Sequence, residues 1–298
     1  MPRISEIQMR DPFVYTEDGW YYLTGSTDPD IWRAPGVGFD VYRGVAPGEF
    51  TEFEGPFPAF RPPAGFWAER NFWAPEVHRH QGEYFMFATF LPVAGRRGTA
   101  VLHAEGPLGP FQPWSEGPVT PPQWECLDGT LFVDDAGEPW LVFCHEWVQV
   151  GNGEICAVRL TADLKAAAGE PLLLFRASDA PWPAQMIGKA PGSYVTDGPF
   201  LYRGADGRLS LLWSSYGPAG NYCIGEATSA TGGLAGPWLQ RTEPIYAADA
   251  GHGMLFQAPD GTGFLAIHTP NDSPNERPIY VEVRDTTEGL AVTGKVLR

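Results

Sequence analysis

The sequence predicts an all-β fold, a five-bladed β-propeller built from four-stranded blades, and three observations carry that expectation. Helical periodicity is nearly absent from the 298 residues. Short apolar runs rich in Tyr, Phe, Val, Leu and Trp are bounded by Gly, Pro and Asp, the marks of strands joined by tight turns. Finally, five hairpin turn glycines, Gly19, Gly82, Gly137, Gly207 and Gly261, follow one another at intervals of 63, 55, 70 and 54 residues, close to one four-stranded sheet per unit.

Each unit opens on a polar residue and then turns back. Asp11-Pro12-Phe13-Val14-Tyr15 turns at Gly19 into Trp20-Tyr21-Tyr22-Leu23, and Ala74-Pro75-Glu76-Val77-His78 turns at Gly82 into Tyr84-Phe85-Met86-Phe87. Asp128-Gly129-Thr130-Leu131-Phe132 turns at Gly137 into Trp140-Leu141-Val142-Phe143. Asp197-Gly198-Pro199-Phe200 turns at Gly207 into Leu209-Ser210-Leu211-Leu212-Trp213, and His252-Gly253-Met254-Leu255-Phe256 turns at Gly261 into Phe264-Leu265-Ala266-Ile267. The echo between Gly106-Pro107-Leu108-Gly109-Pro110 and Gly232-Gly233-Leu234-Ala235-Gly236-Pro237 marks equivalent outer turns in units two and four. Thr161–Ala168 is the only stretch of helix-like composition, and Gly169 cuts it short. A sandwich also needs alternating strands but does not explain five similar openings, so residues 1–298 read as a single domain with no linker.

Composition narrows the function. Hydrophobic residues at 43% and aromatics at 13% supply a full core and exclude a disordered role. A net charge of −16 argues against nucleic acid, whose phosphates demand a basic surface. No run approaches the length of a membrane span, and Met1–Glu6 contains no apolar leader, which gives the expectation of a cytoplasmic protein. Cys126, Cys144, Cys156 and Cys223 lack metal or disulfide spacing and read as buried free thiols. No Gly-x-Ser-x-Gly occurs to support a serine nucleophile.

In a propeller the innermost strands start around one channel, so Asp11, Trp73, Glu76, Asp128, Asp197 and His252 converge on a pocket. Several carboxylates among aromatic walls are the equipment of glycoside hydrolysis: one protonates the leaving oxygen, a second activates water, and a third tunes the acid. Taken singly, an Asp before Gly or Pro is an ordinary turn residue; the repetition gives these their weight. Trp73, Phe72 and Trp67 are candidate sugar-stacking walls.

Arg10-Asp11-Pro12-Phe13-Val14, Trp73-Ala74-Pro75-Glu76-Val77, Asp128-Gly129-Thr130-Leu131-Phe132, Asp197-Gly198-Pro199 and Gly251-His252-Gly253, in this order, resemble glycoside hydrolase family 43 along essentially the whole chain. The resemblance implies an inverting glycosidase for xylosides and arabinofuranosides. It makes Asp11 the base, Asp128 the tuning carboxylate, and Arg277 a substrate contact. It requires no cofactor for the chemistry and makes His252 the residue near which calcium or another ion would be held. The family's acid is a Glu before Gly-Pro, whereas this chain has Asp197, shorter by about 1.5 Å. Either Asp197 serves, or Glu146 in Cys144-His145-Glu146-Trp147 substitutes with His145 beside it, or the propeller only binds sugars. The expectation is an exo-acting, inverting hydrolase of short α-L-arabinofuranosides or β-D-xylosides, with a small carbohydrate as its partner and neither nucleic acid nor membrane.

Overall fold

The structure, a computed structural model, describes all 298 residues. It is a five-bladed β-propeller whose sheets each take four consecutive antiparallel strands. Blade 1 holds β1 (Arg10–Glu17), β2 (Trp20–Ser26), β3 (Phe39–Gly44) and β4 (Phe53–Phe60). Blade 2 holds β5 (Ala68–His80), β6 (Glu83–Pro92), β7 (Gly98–Ala104) and β8 (Gln112–Pro113). Blade 3 holds β9 (Cys126–Val133), β10 (Pro139–His145), β11 (Glu154–Arg159) and β12 (Leu172–Arg176). Blade 4 holds β13 (Asp197–Arg203), β14 (Leu209–Tyr216), β15 (Tyr222–Ser229) and β16 (Trp238–Gln240). Blade 5 holds β17 (Gly251–Gln257), β18 (Gly263–Thr269), β19 (Arg277–Thr286) and β20 (Gly289–Leu297).

All five expected hairpin glycines adopt positive φ, between 80° and 90°, which is why turns at those places favour glycine. The apolar core is divided among the blade interfaces. Phe39, Phe60, Phe72 and Phe90 fill the space between blades 1 and 2, and Phe175, Trp182 and Trp213 fill that between blades 3 and 4. The centre is thereby left to polar side chains. The four cysteines are free and buried.

Thr161–Ala168 is not helical. Thr161 Oγ1 accepts from the Ala166 amide at 3.2 Å and Asp163 Oδ1 from the Lys165 amide at 3.2 Å, so side chains take the donors a helix would use. The one α-helix is a single turn, α1 (Trp147–Val150), directly after β10.

Each innermost strand breaks its ladder at the same place. Asp11, Ala74, Asp128, Gly198 and His252 all lie in the left-handed region, with φ of 52°, 45°, 57°, 52° and 50°. The residues just before them, Arg10, Trp73, Leu127, Asp197 and Gly251, pair with Ser26, Thr89, Cys144, Ser214 and His268 on the second strands. A bulge of this kind re-aims side chains out of the pleat, here toward the channel. It also withdraws an amide from the ladder. Ser26 Oγ accepts that of Ala74 at 2.8 Å, Thr89 Oγ1 that of Asp128 at 2.9 Å, Ser214 Oγ that of His252 at 2.8 Å and His268 Nδ1 that of Asp11 at 3.2 Å. Each acceptor belongs to the preceding blade of the ring.

The five openings therefore do not share one register, contrary to the sequence reading. Asp197 stands one residue before its bulge, and Glu76 two residues beyond Ala74. The ring closes without an exchanged strand. β1 packs on β17 and β18, and the residues ahead of β1 tie to both neighbours through the Ile4 amide on Thr51 O (3.0 Å) and the Met9 amide on Glu276 O (3.2 Å).

Candidate active site

The bulges open into a cavity of about 570 Å³ lined by Asp11, Asp128, Asp197 and Glu146 together with Trp73, Trp32, Arg10, Arg97, Tyr222 and His252. A depression of similar size, lined mostly by the loops before β9 and before β12, contains none of the bulge residues.

Asp11 is held from several sides. Ser26 Oγ, which already accepts the Ala74 amide, donates to Asp11 Oδ2 at 2.7 Å, and His252 Nδ1 lies 3.2 Å from Oδ1. Burial alone would raise this carboxyl, but His252, Arg10 and the Ser26 hydroxyl outweigh it and hold it below the usual carboxylate range. His268 is not a cation in this arrangement. Burial, followed by the Arg10 charge, drives it down to about 3, and its Nδ1 accepts the Asp11 amide.

Asp128 and Asp197 behave oppositely. Burial and then the negative charge of Asp11 lift Asp128 well above its ordinary value, with the Gly198 amide, donated to Oδ2 at 3.0 Å, acting against the rise. Burial and then Asp128 push Asp197 up to about 7, against the pull of His252 and the Tyr222 hydroxyl. Tyr222 donates to Asp197 Oδ2 at 3.0 Å. Its ring fits there because residue 251 is glycine: a Cβ on Gly251 would meet the Tyr222 ring at 2.5 Å. Asp128 and Asp197, both raised and each within reach of the other's charge, titrate as a coupled pair beside an Asp11 shifted the opposite way. Two carboxyls displaced in opposite directions are what separate acid and base roles require.

Glu146 lines the cavity but is paired with Arg97 at 2.9 Å, and burial leaves its carboxyl above the ordinary value despite that partner. The Arg97 guanidinium covers the Trp73 ring at 4.6 Å, and Trp73 Nε1 donates to Ile31 O at 2.7 Å. Trp32 crosses Trp73 edge to face at 5.2 Å and is 53% exposed at the mouth. Arg10 is fixed by Glu276 and by Asn271, both at 2.7 Å.

His252 does not sit in a metal cage. No three His, Cys, Asp or Glu side chains gather as ligands, and Nδ1 of His252 faces Asp11 and Asp128. The donors present do not fit an ion bound by side chains, so the chemistry below is drawn from the residues alone.

Residues 4–287 match the model of glycosyl hydrolases family 43. The chain belongs to glycoside hydrolase family 43. Family-43 membership makes it a glycosidase that hydrolyses O-glycosyl bonds. The solved structure of an endo-arabinase from Bacteroides thetaiotaomicron is 38% identical, with a TM-score of 0.86 over 96% of this chain and 97% of that one. The structure of an α-L-arabinofuranosidase from Lactobacillus brevis, at 18% identity, shares the fold with a TM-score of 0.72 over 97% of this chain and 94% of that one. An extracellular exo-α-(1→5)-L-arabinofuranosidase of Cellvibrio japonicus is 23% identical over 80% of this chain and 68% of its own length. One from Streptomyces chartreusis is 24% identical over 66% of this chain and 62% of its own length. Both are named as extracellular, which gives the cytoplasmic expectation no support.

Among the residues singled out from the sequence, this family-43 cavity gathers Asp11, Asp128, Asp197, Glu146, Trp73 and His252. It leaves out the others. Phe72 is in the interblade core, 4.9 Å from the Phe90 ring, and Trp67 packs on Phe66 and Phe90. Glu76 is buried farther along β5 and pairs with His78 at 2.9 Å. His145 stacks on Trp124 at 4.1 Å and faces Glu154 and Gln149. Arg277 turns back on the carbonyls of Pro274 and Glu276. Alternation explains Phe72 and His145, which adjoin the cavity residues Trp73 and Glu146 and so point into the blade stack. Arg97, Trp32 and Tyr222 were not found from the sequence, since each reaches the cavity from a loop or an outer strand and no motif marks it.

Proposed function

We propose that the enzyme removes terminal α-L-arabinofuranosyl residues from short arabino-oligosaccharides by a single inverting displacement. Asp197 protonates the leaving oxygen, Asp11 deprotonates the attacking water, and Asp128 sustains the proton on Asp197. One observation carries this reading: within one cavity Asp11 lies below the carboxylate range while Asp197 is pushed up to about 7. Glu146 is the weaker choice of acid because Arg97 holds its carboxylate. Glu146, Arg97 and Trp73 instead form one polar-aromatic wall suited to a sugar ring. The arabinose choice is supported by the relatives named as arabinofuranosidases and arabinase.

Wild type, Asp197→Asn and Glu146→Gln are to be assayed on 4-nitrophenyl α-L-arabinofuranoside, the matching β-D-xyloside and linear α-1,5-linked arabino-oligosaccharides. Asp197→Asn should keep much of the rate on the activated aryl glycoside and lose about 10²–10⁴-fold on the oligosaccharides. NMR of the first-formed sugar should show the inverted anomer. Retained oligosaccharide activity in Asp197→Asn would remove it as the acid, and a preference for the xyloside would overturn the sugar assignment. A second reading, internal cleavage, is favoured by the 38% identity to an endo-arabinase. Unlabelled fragments longer than a monosaccharide, released from oligomers labelled at the reducing end, would identify it.

A further inference from the structure

Ser26, Thr89, Cys144, Ser214 and His268 are register-equivalent, each paired with the residue before the bulge of its own blade. Four of these accept the bulge amide of the next blade, at 2.8, 2.9, 2.8 and 3.2 Å. The exception is Cys144, a thiol and a poor acceptor. The amide it leaves over, that of Gly198, goes to Asp128 Oδ2 at 3.0 Å. A buried amide without an acceptor is costly, so the vacancy must be filled, and a carboxylate fills it.

We propose that Cys144 is a positioning residue: by declining the Gly198 amide it assigns that donor to Asp128. This deepens the hydrolytic reading given above and rests on it. The transfer does two things at once. It anchors the carboxylate of Asp128 to the residue next to Asp197, fixing the spacing of the pair. It also favours the ionised form of Asp128, whose charge keeps the proton on Asp197. The position has no slack, because Gly198 has φ 52° and a Cβ there would meet the His252 ring at 2.8 Å.

Cys144→Ser restores at this blade the hydroxyl that works at Ser26 and Ser214. The serine should take the amide, Asp128 should then hold the proton, and Asp197, relieved of a neighbouring charge, should ionise at lower pH. The titratable groups that face the pair are Asp11, Glu146, Glu76, His252, Tyr222 and Cys144 itself; only Cys144 changes, and burial holds its thiol well above the ordinary value, so no charge is removed with it. Loss of one charge-assisted bond corresponds to about one pH unit.

Two variants and two readouts test this. In pH profiles of kcat/KM, Cys144→Ser should move its alkaline limb about one unit to the acid side, while Cys144→Ala, which also cannot accept the amide, should keep the wild-type limb. In ¹⁵N-labelled protein the Gly198 amide proton should titrate with Asp128 in wild type and Cys144→Ala but not in Cys144→Ser. Identical limbs and identical amide titrations in both variants would overturn the proposal. The NMR readout needs no turnover, so a wild type inactive on every glycoside would count against the hydrolytic reading alone.

Discussion

The Tyr222 hydroxyl donates to Asp197 Oδ2 at 3.0 Å, joining the third and first strands of blade 4 through the proposed acid. Tyr222 is itself held well above its ordinary pKa by burial and then by Asp197, so it stays protonated and can only donate to an ionised partner. Tyr222→Phe removes a bond that favours the carboxylate. The alkaline limb of kcat/KM should therefore rise, by about one pH unit, and kcat should fall about tenfold as the carboxyl loses its orientation. A limb moved downward would show that Tyr222 instead stabilises the acid form.

Glu146→Gln tests the wall opposite the acid. With Arg97 left without its charge partner in a nearly buried site, the variant should lose about 2–4 kcal/mol of stability, seen as a lower midpoint in urea. Activated and unactivated glycosides should suffer alike, chiefly through KM. A loss confined to unactivated substrates would transfer the acid role to Glu146.

Trp32 is half-exposed at the cavity mouth and held only by Trp73 and Arg10. Its burial stabilises the fold little, so Trp32→Ala should leave Tm unchanged. An exposed ring at a sugar site acts by stacking, and KM for oligosaccharides should rise about tenfold, equal to roughly 1.4 kcal/mol. Unaltered KM for every chain length would exclude Trp32 from substrate binding.

Asp197 should also cost stability. Its ordinary value is 3.8 and the fold pushes it up to about 7. Between those values the folded state binds more protons than the unfolded one, so this group's contribution is complete below the lower value and is lost as pH rises through the upper. Asparagine mimics the protonated form and escapes that loss. Asp197→Asn should raise Tm by roughly 5 °C near pH 8 and by nothing below about pH 4. A constant difference across this range would mean that Asp197 does not titrate as described.

Much of the fold was legible because hairpin glycines and alternating apolar runs are local signals. Gly19, Gly82, Gly137, Gly207 and Gly261 mark turns whose backbone geometry a single residue type satisfies best. Asp11, Asp128, Asp197 and His252 were legible because the chain repeats five times, so position within a unit stood in for position in space. What the repeat concealed was register. Asp197 resembles Asp11 and Asp128 in sequence, yet it stands before its bulge rather than at it. Trp32 and Arg97 were hidden because loops from blades 1 and 2 carry them, and a loop's reach is not written in its composition. The helix-like composition of Thr161–Ala168 yields no helix for a local reason, since Thr161 and Asp163 offer the backbone other partners.

The first and last blades share no strand; an apolar core packs them together, and at the channel the site itself ties one to the other. Asp11 and Arg10 come from one end of the chain; His252, His268, Asn271 and Glu276 come from the other. The seam between the two ends of the chain is thus clasped by the residues around the proposed base. Any breathing of that seam separates the base from its partners before a single blade has melted, so catalysis reports on closure of the circle more sensitively than any measure of β-sheet content.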